Sequence, residues 1–470
     1  MTKDLTSGRP MGLLLSFGLP TLLGMLFQQF YNLMDTMIVG KLLGASALAS
    51  VGSTSSINFL VIGFCMGVCN GFAIPVAQRV GANDPVQMRR YVANAFYLSA
   101  GFSLVLAAVT GLACRGILTV MNTPPDIFEG AYQYIFIIFL GIPTTFLYNL
   151  LAGVIRSLGD SKTPVYFLAL SSGLNIFLDF ALILWFDSGV AGAAIATVVS
   201  QGISGAACLA YMWKKYPVLH MTREERRFDP ASCGRLCGIG VPMGLQYSIT
   251  AIGSIMLQSA VNTLGSTYVA AVAAGSKMYQ LLACPFDAMG ATMATYCGQN
   301  VGAWRLERLG QGIRSCAVLG AVYSAAALGA MLLFSDACAL LFLDPAEPAL
   351  AQLTVLTSRY ILISTAFFFP LSLVNIVRFS IQGMGYSVFA ILAGVLEMLA
   401  RTGVAYFLVP SLGYTAACFA SPTAWVCADL FLIPACMVCI ARLRRRSAKL
   451  SPEAPSASDI PCAARSRAYS

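Results

Sequence analysis

Apolar runs long enough to span a bilayer follow one another along almost the whole chain, separated by short polar stretches. The first, Leu13 to Val39, reads LLLSFGLPTLLGMLFQQFYNLMDTMIV, and a helix crosses a bilayer core in about 20 residues. Twelve runs can be placed, at approximately 13–39, 52–77, 91–113, 131–154, 164–186, 190–213, 237–263, 277–298, 316–335, 359–380, 387–409 and 416–441. Turn chemistry separates them at Gly81-Ala82-Asn83-Asp84-Pro85, Asn122-Thr123-Pro124-Pro125, Asp160-Ser161-Lys162-Thr163-Pro164 and Pro410-Ser411-Leu412-Gly413. The pattern predicts an all-α integral membrane protein with twelve transmembrane helices.

One position breaks the first run. Asp35 is a carboxylate in the middle of hydrocarbon, where an ionisable group is costly and marks an ion or proton site by default. Gln28, Tyr31, Asn32 and Asp35 fall at i, i+3, i+4 and i+7, a single polar stripe on one helix face. A neutral amide would make the same packing hydrogen bond without burying a charge. The fifth run adds Asn175 and Asp179 one turn apart, and the sixth adds Thr197, Ser200 and Gln201. These groups are expected to form one pocket in the first half, able to hold a proton shared between the acids or a small cation such as sodium at Asp35 and Asp179. Two separate interhelical hydrogen bonds are the competing reading. Pro20 costs the first helix a backbone hydrogen bond and marks a site for a bend.

The second half offers secondary candidates. Glu397 and Arg401 stand at i and i+4, where opposite charges neutralise each other, so a structural intrahelical pair is the favoured reading. Arg156 and Asp160 repeat that spacing at the end of the fourth run, as a structural pair or part of a gate. Asp287 and Asp429 are isolated acids in runs eight and twelve. Aromatic and Met residues such as Phe27, Phe64, Met278 and Met289 suit a promiscuous apolar cavity as well as they suit plain packing.

The chain also repeats itself at an offset of about 221–226 residues. Gly18-Leu19-Pro20 recurs as Gly240-Val241-Pro242, and Gln78-Arg79-Val80-Gly81-Ala82 as Gln299-Asn300-Val301-Gly302-Ala303. Leu158-Gly159-Asp160-Ser161 recurs as Met384-Gly385-Tyr386-Ser387. Ordered matches at near-constant spacing predict two parallel six-helix repeats, an arrangement suited to alternating access around a midplane site. The corresponding division is 1–12 as a cytoplasmic N-terminus, 13–213 as an N-lobe, 214–236 as an inter-lobe loop, 237–441 as a C-lobe and 442–470 as a basic, disordered tail. Asp35 has no counterpart, since Leu257 occupies the matching position.

Composition agrees. The 470 residues are 58% apolar and 10% charged, with mean hydropathy +0.75, against about 25% charged in soluble domains. The net charge of +9 follows from loops on one side, which hold Arg79, Arg89, Arg90, Lys214, Lys215, Arg223, Arg226, Arg227, Arg305, Arg308 and Arg442 to Arg446. By the positive-inside rule both termini are cytoplasmic. The fifteen cysteines are scattered through apolar runs as small fillers, and Cys436 and Cys439 lie in the last span without a redox context. With His220 as the one histidine, no structural metal site is expected, nor any cofactor or nucleic-acid partner. No Walker, zincin, nucleophile-elbow or dinucleotide fingerprint occurs, and a cleavable signal peptide is not expected.

Gly18-Leu19-Pro20 followed by Tyr31-Asn32-Leu33-Met34-Asp35-Thr36-Met37-Ile38-Val39-Gly40 resembles the first helix of MATE (multidrug and toxic compound extrusion) transporters. So do Gln78-x-x-Gly81-Ala82, Arg156-Ser157-Leu158-Gly159-Asp160-Ser161-Lys162-Thr163-Pro164, Asn175-Ile176-Phe177-Leu178-Asp179, and Gly189-Val190-Ala191-Gly192-Ala193-Ala194-Ile195-Ala196-Thr197. The resemblance covers essentially residues 10–440 and is closer to the DinF-like branch, because helices seven and ten lack the additional acids of the other subgroup. It implies two six-helix lobes and export of amphipathic, mostly cationic compounds in exchange for protons or sodium. Its coupling site lands on Asp35, Asn175, Asp179 and Thr197, with Pro20 as the bend of the first helix. Gln28, Tyr31, Asn32 and Gln201 are expected to line the substrate cavity, with Asp287, Glu397 and Arg401 as secondary candidates. A monomer in the cell membrane is expected. A lipid-linked oligosaccharide or other lipid flippase is the alternative, and the absence of catalytic motifs speaks against an intramembrane enzyme.

Overall fold

The computed structural model describes residues 3–121, 123–343 and 349–450. Asn122 of the second turn, the loop acids Asp344 and Glu347, and the tail from 451 onward lie outside the described residues. The described residues are helical almost throughout, with no strand among them. The first half comprises α1 (Pro10–Ser53), α2 (Ser55–Gly81), α3 (Pro85–Val120), α4 (Pro125–Leu140), α5 (Ile142–Ser157), α6 (Thr163–Phe180) and α7 (Gly189–Lys215). The second comprises α8 (Pro230–Asn262), α9 (Ser266–Gly302), α10 (Glu307–Leu340), α11 (Leu350–Ala366), α12 (Phe368–Gly383), α13 (Ser387–Gly403), α14 (Val409–Leu412) and α15 (Tyr414–Leu450). Arg442 to Leu450, expected within the disordered tail, continue the last helix instead.

Two of the twelve expected spans are broken. α4 and α5 meet at 46° and α11 and α12 at 49°, each just before a proline (Pro143, Pro370) whose missing N–H cannot continue the preceding helix. Among the described residues, nine single helices are long and apolar enough to cross a membrane, and the two bent pairs bring the number to eleven. α9 makes the twelfth. Its 37 residues are ample at about 1.5 Å per residue, but Lys277, Asp287 and its amides dilute its apolar character.

The repeat is written in the backbone. Positive φ occurs at Gly44 and Gly265, Asn83 and Trp304, Gly159 and Gly385, and Gly189 and Gly413, each pair separated by the offset found in the sequence. One-turn π segments, Ala181–Trp185 and Val404–Leu408, end the corresponding helices α6 and α13. The cores are largely separate. One cluster runs from Ile38 to Leu219 within the first half and takes in Leu236 of α8. Phe286, Tyr296, Phe368 and Trp425 anchor another within the second. α1 crosses between them: Leu14 and Phe17 belong to the second-half core and Ile38 and Val39 to the first.

The halves meet most extensively along α2 and α8, where small residues admit backbone contact. A Cβ added at Gly67 would sit 2.6 Å from the Met243 carbonyl oxygen, and one at Gly71 2.4 Å from Gly240 Cα. At the basic end the approach is closer still: a Cβ at Gly81 would lie 1.9 Å from the Gln299 oxygen and one at Gly302 1.8 Å from the Gln78 oxygen. Side chains lock this end. Gln78 donates to the Gly383 carbonyl at 3.1 Å and accepts from Arg235 at 2.9 Å, while Gln299 donates to the Ser157 carbonyl at 2.9 Å. Residues 3–8 lie across the seam, bonding Gly159 on one side and Gln299, Asn300, Arg305 and Arg308 on the other. Towards the opposite end of α2 and α8, Phe59, Ile255 and Met256 are exposed.

The connection between α7 and α8 is docked on α3. Arg89 binds the Glu225 carboxylate at 2.6 and 2.8 Å, Tyr97 donates to the Arg226 carbonyl at 2.8 Å, and Asn94 accepts from the Asp229 amide at 2.9 Å. The Arg89 guanidinium is the main reason the Glu225 carboxyl falls from 4.5 to about 2, against a smaller opposing effect of burial.

Two expectations follow. Docking that depends on ionised Glu225 is fully present above pH 4.5 and is lost as pH falls through about 2; at neutral pH, Arg89→Ala is expected to speed limited proteolysis within 216–229, and an unchanged cleavage rate would contradict the docking role. Gly302→Ala is expected to destabilise the closed basic end by about 1–3 kcal/mol. Hydrogen exchange of the 78–82 and 299–303 amides should then accelerate by about fivefold or more, and unaltered exchange would show that the seam tolerates a methyl group.

Candidate functional site

Four polar stripes converge inside the first half. α1 supplies Gln28, Tyr31 and Asp35; α6 supplies Ser171, Asn175 and Asp179 at successive turns; α7 supplies Thr197 and Gln201; and α5 supplies Thr145, Tyr148 and Asn149. Helical periodicity explains the convergence, since i, i+3, i+4 and i+7 positions share a face and these helices pack side by side. Between them lies a cavity of about 60 Å³ lined by residues that include Gln28, Tyr31, Thr145, Asn149 and Gln201. Apolar Ile62, Met66 and Leu168 complete its wall.

At one end of this polar region the two carboxyls meet. Asp35 and Asp179 approach within side-chain hydrogen-bonding reach of each other. Both are buried, Asp179 fully. Thr197 Oγ1 lies 3.3 Å from the Tyr31 hydroxyl and 3.3 Å from the donating Asn175 Nδ2. Asp35 Oδ1, both Asp179 oxygens and Asn175 Oδ1 are buried without a donor from another residue. Such a pair of acids in low dielectric requires a proton between them or a hard cation on its oxygens. The four residues expected to form the pocket are therefore brought together, and Tyr31 joins them.

The other expectations divide. Gln28 and Gln201 line the cavity with Tyr31, whereas Asn32 is exposed and bonds Gln29 at 3.4 Å. The dihedrals of α1 stay helical through Pro20, and its one non-helical residue is Gly44 (φ 84°). Pro20 leaves the Ser16 carbonyl without its intrahelical partner, but the neighbouring helices hold α1 continuous. It sits where α1 passes from one core to the other: Gly18 faces Thr292, and Gly24 faces Val165.

Glu397 pairs across helices with Arg378 of α12, and Arg401 on its own helix lies farther away at 3.8 Å. The expected intrahelical pair is thus the lesser half of an Arg–Glu–Arg group. Asp287 and Asp429, which looked isolated in sequence, both lie within electrostatic reach of Arg378. Asp287 is exposed and Asp429 buried with one oxygen unpartnered.

Arg156 and Asp160 do not pair. Asp160 instead caps α6, accepting from the Lys162 and Thr163 amides at 2.9 and 3.0 Å, the Thr163 hydroxyl at 2.9 Å and the Tyr216 hydroxyl at 2.8 Å. Burial opposes ionisation there, but those hydrogen bonds together hold the carboxyl below its usual value. The i, i+4 spacing failed because α5 ends at Ser157. Residues missed by the sequence reading include Tyr134 on α4, close enough to feel the charges of Asp35 and Asp179, and the α5 stripe. Thr145, Tyr148 and Asn149 carry the same i, i+3, i+4 signal as α1, without an acid to draw attention to it.

The MatE family model matches residues 20–181 and 242–407, one match in each half. The probable multidrug resistance protein YpnP of Bacillus subtilis (strain 168) is 32% identical over 307 residues, covering 65% of this chain and 68% of its own. Among solved structures, a MATE in complex with MaL6 superposes with a TM-score of 0.88 at 22% identity, over 95% of this chain and 100% of its own. A multidrug resistance MATE family transporter of the MOP superfamily in an outward-facing conformation gives 0.86 at 21% identity, over 95% and 100%. The paired halves, the polar pocket in the first and the matches across both place this chain in the MATE family of membrane transporters.

Proposed function

We propose that this protein is a secondary antiporter that exports amphipathic, mostly cationic compounds in exchange for protons or sodium ions by alternating access. The observation that carries the reading is the facing pair Asp35 and Asp179, whose buried oxygens lack donors. Export is supported by the similarity to YpnP, a probable multidrug resistance protein. The lobes are 13–213 and 237–441, the basic end and both termini are cytoplasmic, and the protein works as a monomer in the cell membrane.

We infer a cycle in which the state with the basic end locked is the outward-facing one. A proton or sodium ion reaching Asp35 and Asp179 removes the repulsion between the carboxylates and supplies oxygen acceptors with the partner they lack. Only a ligand with different affinity for the two states moves the equilibrium. α1 carries this difference, because it bears Asp35 on the first-half core and Leu14 and Phe17 on the second. Loading the pocket changes how α1 packs, and cargo leaves the cleft.

Asp35→Asn and Asp179→Asn are each expected to lower uptake of a fluorescent cation into inside-out vesicles at least about tenfold at matched expression; unchanged uptake would remove these acids from coupling. In proteoliposomes, an imposed pH gradient and an imposed sodium gradient, each alone, identify the driving ion. Activity under neither gradient would overturn the antiport reading.

A further inference from the structure

A cavity of about 360 Å³ opens at the basic end, between the turn that joins α9 to α10 and the end of α15. Trp304, Leu306 and Glu307 line it from the turn, and Arg444, Ser447 and Ala448 line it from α15. Its two charges are opposite and do not meet. Among the described residues, neither Glu307 nor Arg444 forms an ion pair or a hydrogen bond. The indole is held at this place against the preference of its own backbone. Trp304 has φ 55° and is 45% exposed, whereas the equivalent position in the first half carries Asn83 at φ 52°. Asn tolerates that left-handed region, and a bulky aromatic there is strained.

The lining selects its ligand by charge. A plain cation is repelled by Arg444, and a bare phosphate is repelled by Glu307. A group that carries both charges a few bonds apart satisfies both side chains. Its phosphate accepts from the guanidinium, its primary ammonium donates to the carboxylate, and an indole face attracts the ammonium. The setting supplies the carrier. The cavity lies between the ends of spans, where indoles favour the headgroup layer and basic pockets take up lipid headgroups. The geometry points to a site for the phosphoethanolamine headgroup of a lipid, with Arg444 on the phosphate and Glu307 and Trp304 on the ammonium. The same turn also reaches the segment that crosses the seam: Arg305 donates to the Thr6 carbonyl at 2.8 Å and Arg308 to the Gly8 carbonyl at 2.9 Å. A headgroup that fixes the turn to α15 therefore steadies residues 3–8 and favours the closed basic end.

Binding of the first lipid is measured by native mass spectrometry on the full-length protein in detergent, titrated with dioleoyl phosphatidylethanolamine, phosphatidylcholine or phosphatidylglycerol. The wild type is expected to bind the ethanolamine lipid most tightly, because the choline lipid has no N–H to donate and the glycerol lipid has no ammonium. Arg444→Gln should weaken ethanolamine-lipid binding about tenfold, the loss of one charge-assisted contact. Glu307→Gln should weaken it to a similar extent and erase the preference over the glycerol lipid. Trp304→Asn should lower affinity while the thermal midpoint holds or rises, since Asn relieves the backbone; unchanged affinity would show that the indole serves the fold alone and overturn its role. Unaltered affinity in monodisperse Arg444→Gln or Glu307→Gln protein would overturn the site. So would a wild type that prefers the glycerol lipid, which would reduce the basic end of α15 to general attraction of anionic lipid. Glycerophosphoethanolamine, the same group without acyl chains, is expected to compete poorly, and equal affinity for it would overturn the lipid as the source. In nanodiscs, hydrogen exchange of the 4–8 amides should slow when ethanolamine lipid replaces choline lipid; unchanged exchange would overturn the link to the seam.

Discussion

In a hydrocarbon layer no water relieves a polar group that lacks a partner, and that constraint governs where this chain can place charge. Asp35 and Asp179 satisfy it only by facing each other, so the pair has no neutral resting place that does not involve a proton or a cation. A lone buried acid would be a packing curiosity. Two that touch, with Asn175 and Thr197 on the adjoining turns, make occupancy of the pocket an energetic requirement.

α1 is the helix shared by both cores. Its first turns are packed with Phe286 and Tyr296 in the second half, and its middle with the first-half core. Pro20 lies at the crossover with one intrahelical hydrogen bond missing, the place where such a helix yields at least cost. The closed basic end is the opposing element. Gly81 and Gly302 allow backbone to meet backbone, and residues 3–8 tie both halves across the seam. Closure there combines that backbone contact with buried hydrogen bonds of Gln78, Gln299 and Asn300 and with more exposed ones at the rim, such as Arg308 to the Gly8 carbonyl.

The two halves share a backbone and differ in charge. Positive-φ residues, broken spans and π segments recur in register, yet the first half gathers acids, amides and hydroxyls, while the second gathers Arg378, Glu397, Arg401, Asp287 and Asp429. On one duplicated scaffold, divergent side chains thus set a carboxyl- and amide-lined pocket in the first half and an Arg–Glu–Arg group in the second.

Apolar periodicity alone determined the class of protein and the number of spans, because hydrocarbon tolerates few alternatives to a helix, and recurring motifs at a fixed offset gave the doubling of the chain. It also exposed Asp35, Asn175, Asp179 and Thr197, since a polar residue in such a run has no other excuse. Charge partners across helices were beyond its reach. The i, i+4 spacing proposed Arg156 with Asp160 and Glu397 with Arg401, but helix ends and crossings decide which side chains meet. Asp160 fell past the end of α5 and became a cap, and Glu397 turned to Arg378 on a neighbouring helix. The closure of the basic end and the straddling of both cores by α1 were likewise settled only by packing, because they depend on distances between residues hundreds of positions apart.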